Sequence, residues 1–125
     1  MILDTNCLSA MAEGDPQLEV VLSTAAELAI PVTVLGEYRY GIEQSRNRSH
    51  YQKWLVEVVS NCRVLSVDDE TAGEYASIRG QLKRDGRPIP GNNVWIAALA
   101  RQHSLPVISR DAHFDLVRGL KRVVW

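Results

Sequence analysis

Met1-Ile2-Leu3-Asp4-Thr5-Asn6 begins with three apolar residues that stop at an acid, a hydroxyl and an amide. Such a run suits a short buried strand, and Asp, Thr and Asn are residue types that end strands and begin turns or helices. Working outward, the pattern repeats. Asp15-Pro16 reads as an N-cap with proline at the first helical position, and Leu18, Val21, Leu22, Ala25 and Leu28 follow at helical spacings of three and four. Residues 30–34 read as a second strand with Pro31 near its start, followed by a helix over about residues 36–44.

Asn47 or Ser49 is placed to cap a further helix whose apolar stripe is Tyr51, Trp54, Leu55 and Val58. Residues 62–67, rich in β-branched side chains, form the expected third strand. Asp68, Asp69 and Glu70 crowd the start of the next helix and Arg79, Lys83 and Arg84 its end, the arrangement that the helix dipole favours. After the rigid loop Arg87-Pro88-Ile89-Pro90-Gly91, Asn92 is placed to cap a helix that is apolar on every face from Val94 to Ala100. Residues 106–109 and 120–124 supply a fourth and a fifth strand. Strands alternating with helices over 125 residues predict one α/β domain, 1–125, with a mostly parallel, about five-stranded sheet.

Composition narrows the class. With 46% hydrophobic and 23% charged residues the chain is globular in type. Cys7 and Cys62 form no CxxC pair, which argues against a disulfide framework or a zinc ribbon. No apolar run is long enough for a membrane span and no signal-peptide pattern opens the chain, so a cytoplasmic protein is expected. The net charge of −1 conceals a split: residues 1–37 hold six acids and no Lys or Arg, while residues 38–125 hold fourteen Lys and Arg against nine acids. An acidic site beside a basic rim would suit a polyanion handled through metal ions.

Ligands of open α/β sheets gather at the carboxyl ends of the strands. Asp4 ends the first expected strand, Glu37 opens the helix after the second, and Asp111 follows the fourth. Asn93 starts a helix that leads into a parallel strand, so its start lies at the same edge. Clustered carboxylates repel one another unless a cation sits among them, and hard oxygen ligands suit Mg²⁺ or Mn²⁺. Such an ion can polarise a phosphodiester and orient an attacking water. No Ser or Cys nucleophile motif accompanies a histidine, and neither GxGxxG nor GxxxxGK[ST] occurs. An aspartate-nucleophile phosphotransferase would want a second acid two residues after Asp4, where Asn6 stands.

Four segments together carry a resemblance: Leu3-Asp4-Thr5-Asn6; Glu37-Tyr38-Arg39-Tyr40-Gly41-Ile42; Pro90-Gly91-Asn92-Asn93-Val94-Trp95-Ile96-Ala97-Ala98; and Ser109-Arg110-Asp111-Ala112-His113-Phe114. In this order and spacing the chain resembles PIN-domain ribonucleases of the VapC toxin type over nearly its whole length. The resemblance implies a PIN-like three-layer α/β/α sandwich and a Mg²⁺- or Mn²⁺-dependent endoribonuclease acting on single-stranded or structured RNA, tRNA among the targets. It also implies a small VapB-like antitoxin as partner and a homodimer. By position, Asp4, Glu37, Asn93 and Asp111 would form the catalytic metal site, with Asn6 and Ser109 in support.

Position 93 departs from the family pattern, which has Asn-Asp where this chain has Asn92-Asn93. An amide keeps the shape and one neutral oxygen but loses the charge, worth on the order of a few kcal/mol near an ion at about 4 Å. Weak metal binding and strongly reduced cleavage are therefore expected, with the fold retained. The alternative is an inert PIN domain that binds antitoxin or RNA without cutting. Arg39, Arg87 and Arg110, with Arg84, are candidate contacts for RNA phosphates; Tyr38, Tyr40 and Trp95 are candidate stacking residues, Trp95 being better suited to the core. His113, two residues after Asp111, is near enough in sequence to touch the site.

Overall fold

The strands are short, and the helices between them set the architecture. The computed structural model describes residues 1–125. Strands β1 (Ile2–Leu3), β2 (Ala29–Pro31), β3 (Arg63–Leu65), β4 (Val107–Ile108) and β5 (Arg122–Val123) form one sheet in the order β3-β2-β1-β4-β5. Every pairing is parallel, and Ile2 lies opposite Ala29 on one side and Val107 on the other. Ile2, Leu3, Ala29, Ile30, Val107 and Ile108 are fully buried, as strands covered by helices on both faces must be.

Helices α1 (Thr5–Ala12) and α2 (Pro16–Ser23) link β1 to β2, and α3 (Val32–Glu43) and α4 (Arg48–Ser60) link β2 to β3. Helices α5 (Asp69–Arg84) and α6 (Gly91–His103) carry the chain back across the sheet to β4, and a 3₁₀ turn (Ala112–Leu116) leads to β5. Right-handed crossovers put α1–α4 on one face and the α5–α6 hairpin on the other, giving the expected three layers. Because the connections run outward from β1 to β3 and then return to β4, the strand order reverses between β1 and β4. That reversal opens a crevice at the carboxyl ends of these two strands.

Local signals explain most boundaries. Asp15 caps α2 by accepting from the Gln17 and Leu18 amides (2.9 and 3.3 Å), with Pro16 behind it. Asp68 and Thr71 form a capping box at the start of α5, and Gly86, at φ 67°, turns the chain after its end.

Four expectations need correction. Helix α2 ends at Ser23, so Ala25 and Leu28, expected in its apolar stripe, lie beyond it. The second strand ends at Pro31, and residues 32–34 form the first turn of α3. Val32-Thr33-Val34 favours a strand locally, but Val34, Tyr38 and Ile42 repeat at helical spacing and pack into the core, and that burial decides. Asn92 does not cap α6: Pro90 holds the cap position and Asn92 lies inside the first turn. Asn47 precedes α4 without a side-chain capping bond.

Candidate active site

Two of the proposed site acids are also helix caps, so local geometry aims them before any ligand is considered. Asp4 follows β1 and caps α1, its Oδ1 accepting from the Thr5 amide at 2.7 Å. Asp111 follows β4 and caps the 3₁₀ turn, its Oδ1 accepting from the His113 amide at 2.9 Å. Glu37 lies on α3 and Asn93 in the first turn of α6. Four distant segments thus meet at the crevice between β1 and β4, as the topology argument expected.

Hydrogen bonds join them into one network. Ser109, fully buried at the end of β4, donates to Asp4 Oδ2 at 2.7 Å and accepts from the Asp111 amide at 2.9 Å. Asn6 donates to Asp4 Oδ2 (3.2 Å) and Ser109 Oγ (3.1 Å), while its Oδ1 accepts from the Arg110 amide (3.3 Å). Asn93, 9% exposed, donates through Nδ2 to Asp111 Oδ2 at 2.8 Å. Glu37 accepts from Thr5 Oγ1 at 2.9 Å and from Asn92 Nδ2. His113 Nδ1 lies 2.9 Å from Asp111 Oδ1.

Electrostatics distinguishes the acids. Burial pushes the Asp4 carboxyl above its ordinary range; the bonds from Ser109 and Thr5 oppose that, and the charges of Asp111 and Glu37 add to it. Burial also acts upward on Asp111, but bonds from the His113 amide and Asn93 and the neighbouring His113 side chain outweigh it, and its carboxyl titrates below the ordinary range. No Lys or Arg forms an ion pair with Asp4, Glu37 or Asp111. A neighbouring hollow of about 340 Å³, lined by Thr5, Glu13, Glu37, Tyr38 and Tyr51, leaves room beside Glu37.

The donor chemistry fits a hard divalent cation: three carboxylates, hydroxyls and an amide, with no soft ligand. The side chains are arranged otherwise as they stand. No three acids, histidines or cysteines are grouped to hold an ion; the carboxylates accept from Thr5, Asn6, Asn92, Asn93, Ser109 and His113.

Asn6 and Ser109 both donate to Asp4 Oδ2 and bond to each other. Thr5 and Asn92 were missed as Glu37 partners; the signal available was that both flank site residues in the quoted motifs. Arg39 lies two residues from Glu37 but lines a different groove, with Ile42 and Leu55 between α3 and α4. Arg87 is exposed in the loop before α6. Arg110 is held away from the acids: it pairs with Asp15 at 3.3 Å and lies 4.5 Å above the Trp125 ring. Tyr40 is 69% exposed, Tyr38 packs on Trp54, and Trp95 stacks on Tyr75. Cys7 is buried, and burial pushes its thiol up to about 12, away from the thiolate form.

A sheet of this order with acids at its switch point defines a class, and comparison with known proteins agrees. The PIN domain model matches residues 1–120. Ribonuclease VapC5 of Mycobacterium tuberculosis is 32% identical over 124 residues, covering 98% of this chain and 90% of that protein. The tRNA(fMet)-specific endonuclease VapC of Shigella flexneri is 30% identical over 127 residues, covering 99% and 96%. In fold, the chain matches VapBC2 from Rickettsia felis with a TM-score of 0.90 at 23% identity, over 99% of this chain and 97% of that one. This chain belongs to the PIN-domain family, among its VapC-type ribonuclease toxins.

Proposed function

We propose that this protein is a divalent-metal-dependent endoribonuclease toxin of reduced activity, cutting single-stranded or structured RNA such as tRNA and held in check by a VapB-like antitoxin. The observation that carries the reading is the convergence of Asp4, Glu37 and Asp111 at the switch point with no Lys or Arg paired to them. The VapC relatives named ribonuclease and tRNA(fMet)-specific endonuclease support the substrate class, and the VapBC neighbour supports the antitoxin. A homodimer and a cytoplasmic address belong to the same proposal; no helix is long and apolar enough to cross a membrane.

Asp4, Glu37 and Asp111 would hold Mg²⁺ or Mn²⁺, with the Asn93 oxygen as a neutral fourth donor once its amide turns over. When bound, the ion supplies charge stabilisation at the phosphodiester and a more acidic attacking water. The chain's own residues do the rest. Ser109 and Asn6 fix Asp4 at the edge of β1, and Thr5 and Asn92 fix Glu37. Glu37 is the exposed acid of the site and borders the hollow through which RNA would reach it.

Asn93 favours a second reading in which the domain binds antitoxin or RNA without cutting. Its Nδ2 occupies Asp111 Oδ2, an oxygen the ion would need. Cleavage of a labelled, unstructured RNA with Mn²⁺ decides between the two. Slow cleavage that disappears in EDTA and in Glu37→Gln and Asp111→Asn variants supports the nuclease. Cutting that survives EDTA or both substitutions refutes the proposed site, and RNA binding with no cutting selects the second reading.

A further inference from the structure

A hollow of about 540 Å³ lies outside the carboxylate crevice, where the end of α5 and the loop after it meet the start of α6. Its walls include Tyr75, Arg79, Lys83, Pro88, Ile89 and Gly91, and no acid lines it. The Tyr75 ring stacks on Trp95 with centroids 4.0 Å apart and planes 25° from parallel. Arg79 donates to the Tyr75 hydroxyl at 2.7 Å and places its guanidinium 5.8 Å from the ring centre. These contacts hold the aromatic wall in place. Neither Arg79 nor Lys83 has an acidic partner, a condition they share with Arg39, Arg46, Lys53, Arg84, Arg87 and Lys121; what sets them apart is that both line one hollow.

A rigid aromatic wall suits a planar base, and cations without an acidic partner at its margin suit phosphates. Placement joins the hollow to the site. Gly91 lines it, and the next two residues of α6, Asn92 and Asn93, bond to Glu37 and Asp111. A strand crossing the first turn of α6 would therefore touch the hollow and the crevice in succession. We propose that the hollow is a nucleotide subsite, taking one unpaired base of single-stranded RNA with its phosphates on Arg79 and Lys83. The proposal rests on the ribonuclease reading above. Charge complementarity selects the occupant: the wall has two unpaired cations and no acid, and RNA supplies a phosphate at every step.

The test uses the full chain and a fluorescein-labelled, unstructured RNA of about ten nucleotides, a length able to span such a groove, in EDTA so that binding is read alone. The Arg79→Glu/Lys83→Glu variant should lose about tenfold or more in affinity at 0.1 M salt, and its salt dependence should become shallower. Tyr75→Leu, checked for an unchanged melting temperature, should lose about tenfold through lost stacking. Lys53→Glu, on exposed α4, should stay within about twofold. In an Asn93→Asp background the double charge reversal should raise KM and leave kcat within about twofold.

Unchanged affinity in the charge-reversal variant overturns the subsite and leaves the nuclease reading intact. Failure of the unaltered chain to bind RNA at all overturns both. An equal loss in Lys53→Glu reduces the effect to overall charge and overturns the subsite. A charge-reversal variant whose particle mass halves in light scattering would show that a second copy of this chain fills the hollow, which also overturns it.

Discussion

Asn93 donates a hydrogen bond to Asp111 at a position where the family pattern has an acid. Replacing Asn93 by Asp removes that donor and sets two carboxylates against each other, which is costly without a cation and favourable with one. The Asn93→Asp variant should therefore melt lower than the parent chain in EDTA and regain stability on adding Mn²⁺, measured by thermal unfolding in both conditions. Ser109 is the buried hinge of the network. Ser109→Ala should cost about 1–3 kcal/mol in chemical denaturation, because a buried carboxylate loses a hydrogen bond. The pH dependence follows from the two shifted acids. Asp4 is raised, so its ionisation disfavours the fold, and its contribution falls as pH rises from the ordinary carboxylate value through its folded one. Asp111 is lowered, so it stabilises above the ordinary value, and that gain is lost as pH falls through its folded one. Urea midpoints between about pH 2 and 6 should show the acid-side loss diminished in Asp111→Asn. At this scale the sequence was informative because Asp4 and Asp111 each follow a strand and cap the turn or helix after it. For Thr5 and Asn92 it offered only their place beside site residues, because their bonds to Glu37 depend on α3 lying next to them.

Burial outweighed local preference in α3. Val32-Thr33-Val34 looks like a strand residue by residue, yet it forms the first turn of α3, where Val34 is fully buried. Glu37 lies in the second turn of that helix and bonds to Thr5 and Asn92. α5 was easier to read because its capping signals are local. Its Asp68–Thr71 box sits where Thr71 meets Gln102 near the end of α6, far along that helix from Asn93. Asp68→Ala should cost about 1 kcal/mol, a few degrees in melting temperature, with kcat unchanged. A large loss of activity at unchanged stability would mean that the α5–α6 hairpin does more than support the site.

Across the whole molecule, alternating elements disclosed the α/β class, but strand order is a property of long-range pairing that no short motif encodes. The order β3-β2-β1-β4-β5 places β1 beside β4 and so brings Asp4 within reach of Ser109, 105 residues away. The charge split also changed meaning once folded. Arg110, adjacent in sequence to Asp111, is tied to Asp15 and Trp125, while Arg79 and Lys83, far from Asp111 in sequence, line one hollow without an acidic partner. RNA affinity should fall linearly on a log–log salt plot, with a slope of about −0.7 per phosphate contact. The most direct measurement compares the rates at which the parent chain and Asn93→Asp cleave one end-labelled RNA at saturating Mn²⁺. A gain of about tenfold or more for the aspartate, abolished by EDTA, is expected from one restored charge at the ion. Equal, robust rates would contradict the role assigned to position 93, and cleavage by neither chain would contradict the nuclease itself.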